Sequence, residues 1–537
     1  MLDNLPFGDD FRFIFSKNHI TQAPNPFLYF FPWSIYYKSW ALSYAMLWAI
    51  YKIFGEQFVY YRMINISLHF INHLFFRKII QKHYDLSPEK QNLFSLIFLL
   101  HPLSVLTTSW IFQIKTLLAV MFFLISYNFL INSDFQKKRD YLKLNLLFWM
   151  SLASKVCGIL FPIYLFIVNR KKMTKKKLTL LVTPLLCISL LYGALNIKGI
   201  THIIQENIHI KSMNKDKSKN VLISNSQLMA NKIKYDHAIK QPGGITFDIN
   251  VSKDISKGMG IYFNPFFKLD HLIAKYVISI QNLGKAVMSS LALYNYFPFY
   301  ETNTQTATSP YLFVYIVVGM TSIIALFLLK NHFLTLAFIL FLPISGLFYI
   351  PYMKFSYSSD HWFYPFMLFF LLGMIKYSKN KNWLIISLFV ITFSNYIFTI
   401  YKYRSFPELL ALNLKTHKNA IIVEHQSQYD MLEKDWYKVF GKYTFLLNNV
   451  DFTSPSYGNK IFEMTLKLRV PKLVEPYYPT MAKMILEQKN FQLLKSFNLN
   501  LSGIVQDRTL DLTESLDAIY SHRIDDHTYK KTIEYLE

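Results

Sequence analysis

Apolar residues along the chain gather into long runs separated by short polar breaks. The runs predict membrane-crossing helices near residues 57–79, 93–108, 112–131, 141–153, 156–168, 178–194, 309–329, 332–350, 362–375 and 383–401. About ten crossings in one chain define a polytopic α-helical membrane protein. Alternate connections are short and basic: Arg77, Lys78 and Lys82; Lys137, Lys138 and Arg139; Arg170 to Lys177; Lys330; and Lys376, Lys379 and Lys381. Lys and Arg in short loops mark the cytoplasmic side, which places the remaining connections outside. The outer set comprises the N-terminal segment, the Trp110 to Lys115 turn, Ser154-Lys155, residues 195–308, Ser356 to His361 and everything after residue 402.

This pattern divides the chain into an extracytoplasmic acidic loop with interfacial helices (1–56) and an N-terminal transmembrane half (57–194). A long extracytoplasmic loop (195–308), a C-terminal transmembrane half (309–402) and a mainly helical extracytoplasmic region (403–537) follow. The aromatic block from Phe27 to Trp48, interrupted by Pro32 and Lys38, suits helices lying in the membrane interface. Two crossings within residues 141–168 leave roughly 20 Å of helix each, against a hydrocarbon core of about 30 Å. Irregular backbone at membrane depth is tolerated where it lines a cavity, so Ser154-Lys155 is expected to mark an aqueous cleft open to the outer face.

Composition agrees: 52% of residues are hydrophobic and 18% aromatic. The net charge of +24 does not point to nucleic acid, because the Lys and Arg residues sit in short loops between apolar runs. Cys157 and Cys187 both lie in apolar segments, which excludes a disulfide framework or a cysteine metal site. The stretch after Met1 lacks the basic-then-apolar order of a secretory leader.

Against this background the polar exceptions carry the chemistry. Asp9 and Asp10 form a carboxylate pair ahead of the first predicted span. Arg62, Asn65, His69 and Asn72 recur at helical spacing, a stripe that suits a helix-packing seam better than a reactive site. Leu-His-Pro-Leu-Ser, with His101 and Pro102, closes a span, and Ser-Trp-Ile-Phe-Gln-Ile-Lys, with Trp110, Gln113 and Lys115, opens the next. Lys115 either snorkels to the interface or meets a phosphate. Lys155 has no acidic neighbour in sequence, and an ionisable residue between two apolar half-helices is a functional candidate. Asp360, His361, Trp362 and Tyr364 stand at the mouth of a late span. There a carboxylate beside an imidazole is expected to keep it protonated and able to bind an anion.

In order and spacing, from about residue 7 to residue 410, these motifs, together with Pro-Ile-Ser at 343–345, resemble the transmembrane-and-TPR O-mannosyltransferase family and its bacterial relatives. That family belongs to the GT-C superfamily of polyprenyl-phosphate-sugar glycosyltransferases. The resemblance implies a GT-C-like bundle in which Asp9 and Asp10 supply the catalytic base, the second carboxylate orienting the acceptor or holding a divalent cation such as Mg or Mn. It places the lipid phosphate on Lys115, Lys155 and His361, with His69, His101, Gln113, Asp360, Trp362 and Tyr364 in support. A mannose-like hexose would pass from a polyprenyl-phosphate donor to a protein, glycan or lipid hydroxyl, with inversion. The high Lys, Asn and Ile content suits an AT-rich bacterium, so the site would face the periplasm from the inner membrane.

Departures from the family pattern are Ile114 and Thr116, where relatives carry an Arg and an acid around the Lys, and His361, where many carry Arg. The family's first transmembrane helix has no counterpart ahead of the Asp pair, which implies a misassigned start or a truncated fold, and residues 403–537 lack the TPR signature. Three rivals stand beside the transferase. A secondary transporter shares the broken spans, but the chain shows no internal repeat and its polar residues gather at the outer face. A polysaccharide polymerase or ligase would rely on basic residues of a large outer loop. A GT-C-like scaffold without activity would share every motif.

Overall fold

The computed structural model describes Asp10 and residues 23–34, 36–133, 135–170, 173–194, 269–293, 296, 310–347, 359–406, 408 and 409. All belong to one of two compact units, the one built from residues 1–209 and 260–417. Asp9, most of the long connection and nearly all of the C-terminal region lie outside the described residues. The described part is helical, without a β-strand.

A short 3-10 helix, Pro26–Phe30, is capped by Asn25, whose side chain accepts the Phe27 amide at 3.1 Å. It leads into α1 (Ala41–Phe54), which ends at Gly55 in the left-handed region, φ 58°, where glycine carries no side-chain penalty. Helix α2 (Phe58–His83) is 26 residues long, about 39 Å at the α-helical rise. It is built inside out relative to a water-soluble helix. Arg62, Asn65, His69 and Asn72 are buried, while Met63, Ile66, Phe70 and Leu74 are exposed on its outer face. That arrangement suits a helix whose surroundings are apolar.

Helix α3 (Pro88–Leu99) and helix α4 (Pro102–Ser109) are two arms of a pair bent by 48°. The region predicted as one span at 93–108 is therefore broken. Pro102 lacks the amide that would continue the helix, and His101 starts a new one by accepting the Leu103 amide at Nδ1, 3.2 Å. All eight residues of α4 are buried. A 3-10 turn at Ile111–Gln113 then opens α5 (Ile114–Asn132).

Helix α6 (Lys138–Ser154) stops where the sequence placed its break. Lys155 is extended, a 3-10 turn covers Val156–Gly158, and α7 (Phe161–Asn169) and α8 (Lys175–Ala194) follow. Helix α5 packs on α2 and α6. Within the connection predicted as a long loop, Leu269–Ser290 forms helix α9, which packs along α10 (Pro310–Leu329). Their backbones touch. A Cβ on Gly284 would lie 1.9 Å from the Tyr315 carbonyl oxygen, and one on Gly319 would lie 2.1 Å from that of Ile280.

The remaining helices are α11 (His332–Phe341), α12 (Tyr364–Ser378) and α13 (Asn382–Lys402), with 3-10 turns at Leu342–Ile344 and Asp360–Trp362. Among the described residues, three stretches are long and apolar enough to cross a membrane: Ile111–Asn132, Lys175–Ala194 and Asn382–Lys402. The bent α3–α4 pair makes a fourth if it counts as one span.

Candidate functional site

The turn between α4 and α5 organises the site, and helix α2 holds that turn in place. Arg62 Nε donates to the Ser109 carbonyl at 2.9 Å. Asn65 Nδ2 reaches the carbonyls of Thr108, Trp110 and Ile111 at 3.4, 3.1 and 3.3 Å. The Trp110 and Ile111 carbonyls also accept the Gln113 and Ile114 amides of the 3-10 turn, while those of Thr108 and Ser109 lie at the end of α4, so the two side chains tie the helix end to the turn and fix the backbone direction.

The turn, thus fixed, presents the Phe112 amide to Asp10, whose Oδ1 accepts it at 2.8 Å; the Asp10 side chain is fully buried. The Phe112 ring lies beneath the Lys115 ammonium, 3.9 Å from Nζ to ring centroid, and the Trp40 ring lies at 4.4 Å. Tyr44 meets the edge of Phe112, with ring centroids 5.8 Å apart. Aromatic faces favour a desolvated cation, which lets Lys115 stay buried at this depth.

Lys155 arrives from the other side. Ser43 Oγ donates to the Ser154 carbonyl at 2.9 Å and anchors the end of α6 against α1. Lys155 Nζ then donates to Thr116 Oγ1 at 2.8 Å, and Thr116 Oγ1 donates to Gln113 Oε1 at 2.8 Å. Among the described residues no carboxylate lies within ion-pair distance of Lys155. The opposite end of Gln113, Nε2, is buried without an acceptor, as is Trp40 Nε1.

His361 completes the group. Its ring meets the edge of Trp110, with centroids 4.9 Å apart, and its Nδ1 lies 2.7 Å from Ser359 Oγ. Burial, then the charges of Lys155 and Lys115, hold its imidazole well below the usual histidine range. This corrects the expectation of a protonated imidazole kept so by Asp360. The charge of Asp360 is felt instead by Tyr296, Lys402 and Tyr403. A neutral His361 offers one ring nitrogen as a donor and the other as an acceptor, and is not a cation.

Asp10, Lys115, Lys155, Gln113 and His361 are therefore brought to one neighbourhood, and other predicted residues are not. His101 sits at the opposite end of α4, about 12 Å away along the helix axis, with Nε2 at 3.2 Å from the Ser290 carbonyl. His69 bridges the Tyr364 hydroxyl at 2.7 Å and the Leu99 carbonyl at 3.0 Å, and Asn72 approaches the same hydroxyl at 3.4 Å. These groups join α2, α3 and α12. Trp362 packs on His361 with ring centroids 5.9 Å apart. Asp9 lies outside the described residues.

Trp40, Phe112, Thr116 and Ser359 enter the site without having been singled out as candidates. Thr116 alone left a trace, since it stands where relatives of the suggested family carry an acid. Of the two carboxylates expected to hold a divalent cation, Asp10 alone lies among the described residues. Among the described residues no three His, Cys, Asp or Glu side chains converge, and the nearby groups are an amide donor, aromatic rings and a lysine. No family model, curated protein or solved structure matches the chain.

Proposed function

We propose that the protein is a GT-C-type glycosyltransferase that moves a hexose from a polyprenyl-phosphate donor to an acceptor hydroxyl. The observation that carries this reading is the meeting of a buried carboxylate, Asp10, with a buried lysine, Lys115, a half-buried lysine, Lys155, and a buried amide donor around one helix turn. Such a set matches the two demands of the reaction, a base for the acceptor and stabilisation for a departing phosphate.

Asp10 takes the proton of the acceptor hydroxyl while its oxygen forms the new bond to the anomeric carbon. The bond from that carbon to the phosphate oxygen breaks on the opposite face, so the configuration inverts and polyprenyl phosphate leaves with the electron pair. Lys115 and Lys155 neutralise the charge that grows on that oxygen, and His361 donates a hydrogen bond to it. In poorly solvated surroundings each contact is stronger than in water. The donor's isoprenoid tail lies along the apolar outer faces of the helices.

The same reading places about ten spans in the membrane, namely α2, the bent α3–α4 pair, α5, α6, α7, α8, α10, α11, α12 and α13, with the shorter ones as partial crossings and α1 lying in the interface. It sets the site at the outer face, the periplasmic one in a bacterial inner membrane. Membranes containing the full chain, given polyprenyl-phosphate hexose labelled in the sugar, are expected to transfer label to an acceptor. Asp10→Asn and Asp9→Asn are assayed alongside. Failure to transfer any of several hexoses turns the assignment to the transporter, polymerase or inactive scaffold reading.

A further inference from the structure

Gln113 carries a polarity that its neighbours dictate. A lysine ammonium has only hydrogens to give, so at Lys155 the Thr116 hydroxyl is the acceptor and its own hydrogen remains for Gln113. The group 2.8 Å away on Gln113 is therefore its carbonyl oxygen, and the amide nitrogen points the other way. There it is fully buried and has no acceptor. Buried N–H groups are almost always paired, so an orphan in a cluster of charged groups marks a place for a ligand atom. A second buried donor without an acceptor, Trp40 Nε1, belongs to the ring 4.4 Å from Lys115. Two neutral donors without acceptors beside two lysines describe a seat for an anionic oxygen.

We propose that Gln113 contacts the phosphate directly through Nε2, and that Thr116 is the positioning residue that aims Gln113 and Lys155 at it together. This rests on the transferase reading and adds a neutral arm to its phosphate site. It also accounts for the threonine at position 116. A carboxylate there would pair with Lys155 and leave less positive charge for the phosphate. The hydroxyl orients the ammonium and leaves its charge uncancelled.

The test is binding of farnesyl phosphate and, separately, of inorganic phosphate to the purified full chain in detergent, read by calorimetry. Tighter binding of farnesyl phosphate identifies a lipid-linked phosphate as the occupant, and equal binding a free one; Gln113 contacts the phosphate in either case. Gln113→Leu is expected to weaken farnesyl phosphate binding about tenfold to hundredfold, the usual cost of losing a hydrogen bond to a charged group. Gln113→Glu keeps the size and the acceptor for Thr116, and is expected to weaken binding at least as much; it carries the test if the leucine variant fails to fold. Thr116→Val should weaken binding and Thr116→Ser restore it, a rescue that simple packing would not give. Unchanged binding in both Gln113 variants, with binding lost in Lys155→Ala, overturns the Gln113 contact and leaves the transferase reading standing. Absence of binding to the unsubstituted protein overturns both.

Discussion

The Phe112 amide donates a 2.8 Å hydrogen bond to Asp10 Oδ1, joining positions 102 residues apart. The bond needs only an acceptor oxygen at position 10, and an asparagine supplies one. Asp10→Asn should therefore fold and reach the membrane like the unsubstituted protein while losing the proposed base. Hexose transfer is expected to fall by about 10²- to 10⁴-fold, the usual contribution of general base catalysis. Transfer within a few-fold of normal, measured at matched protein levels, would show that Asp10 is a structural acceptor only.

Asn65 touches no reacting group in this scheme, yet its amide holds three carbonyls of the turn that carries Phe112 and Gln113. Asn65→Leu fills the same space and releases them. A displacement on the order of 1 Å at a catalytic centre costs up to about 100-fold in rate. The expected signature is a marked loss of kcat in a protein that still elutes as a folded species. An unchanged kcat would mean that Arg62 and the rest of the packing hold the turn alone.

Tyr364 separates the seam from the site. Its hydroxyl serves His69 and Asn72, at 2.7 and 3.4 Å, and reaches none of the proposed phosphate ligands in the described contacts. Tyr364→Phe leaves a buried imidazole nitrogen without its partner, at a cost of about 1–3 kcal/mol. Thermal unfolding in detergent should shift down while the transfer rate per folded molecule holds. Loss of transfer with unaltered stability would move Tyr364 into the chemistry.

The α9–α10 contact is the tightest helix crossing among the described residues for which a glycine is decisive. At Gly284 the obstacle is the Tyr315 backbone oxygen, which cannot rotate aside as a side chain does. Gly284→Ala is expected to cost about 1–3 kcal/mol or more, as overpacking does, and Gly319→Ala a similar amount. Denaturant titration of the solubilised protein checks both. Tolerance of alanine at both positions would show that the two helices separate readily.

Much of the helical framework was legible in the chain because apolar runs have few alternatives. The break at Ser154-Lys155 could be read from two short runs flanking a lone cation, and the buried face of α2 from polar residues spaced three and four apart. The bend at His101 was half-legible. Pro102 marked a stop, but the apolar residues on both sides read as one span. Helix α9 was not legible, because its lysines, aspartate and asparagine made it resemble the polar connection around it. The Lys155–Thr116–Gln113 chain was out of reach for a different reason. It joins α5 to the end of α6 across 39 residues, and nothing local in the sequence distinguishes this threonine from others in apolar helices. The neutral state of His361 follows from its burial and then from two lysines of other elements, whereas the sequence showed only the aspartate next to it.

Helix α4 has no residue at the surface, and it ends in the turn that bears Phe112 and Gln113. By contrast, only 28% of the apolar window in α8 and 17% of that in α13 is buried. Changes in bilayer thickness act on the helices that lipid touches, by tilt and by small adjustments of depth. The sheathed α4 is shielded from them by its neighbours. Transfer rates in vesicles of short- and long-chain phospholipid should accordingly differ little, even where the tilt of α8 and α13 changes.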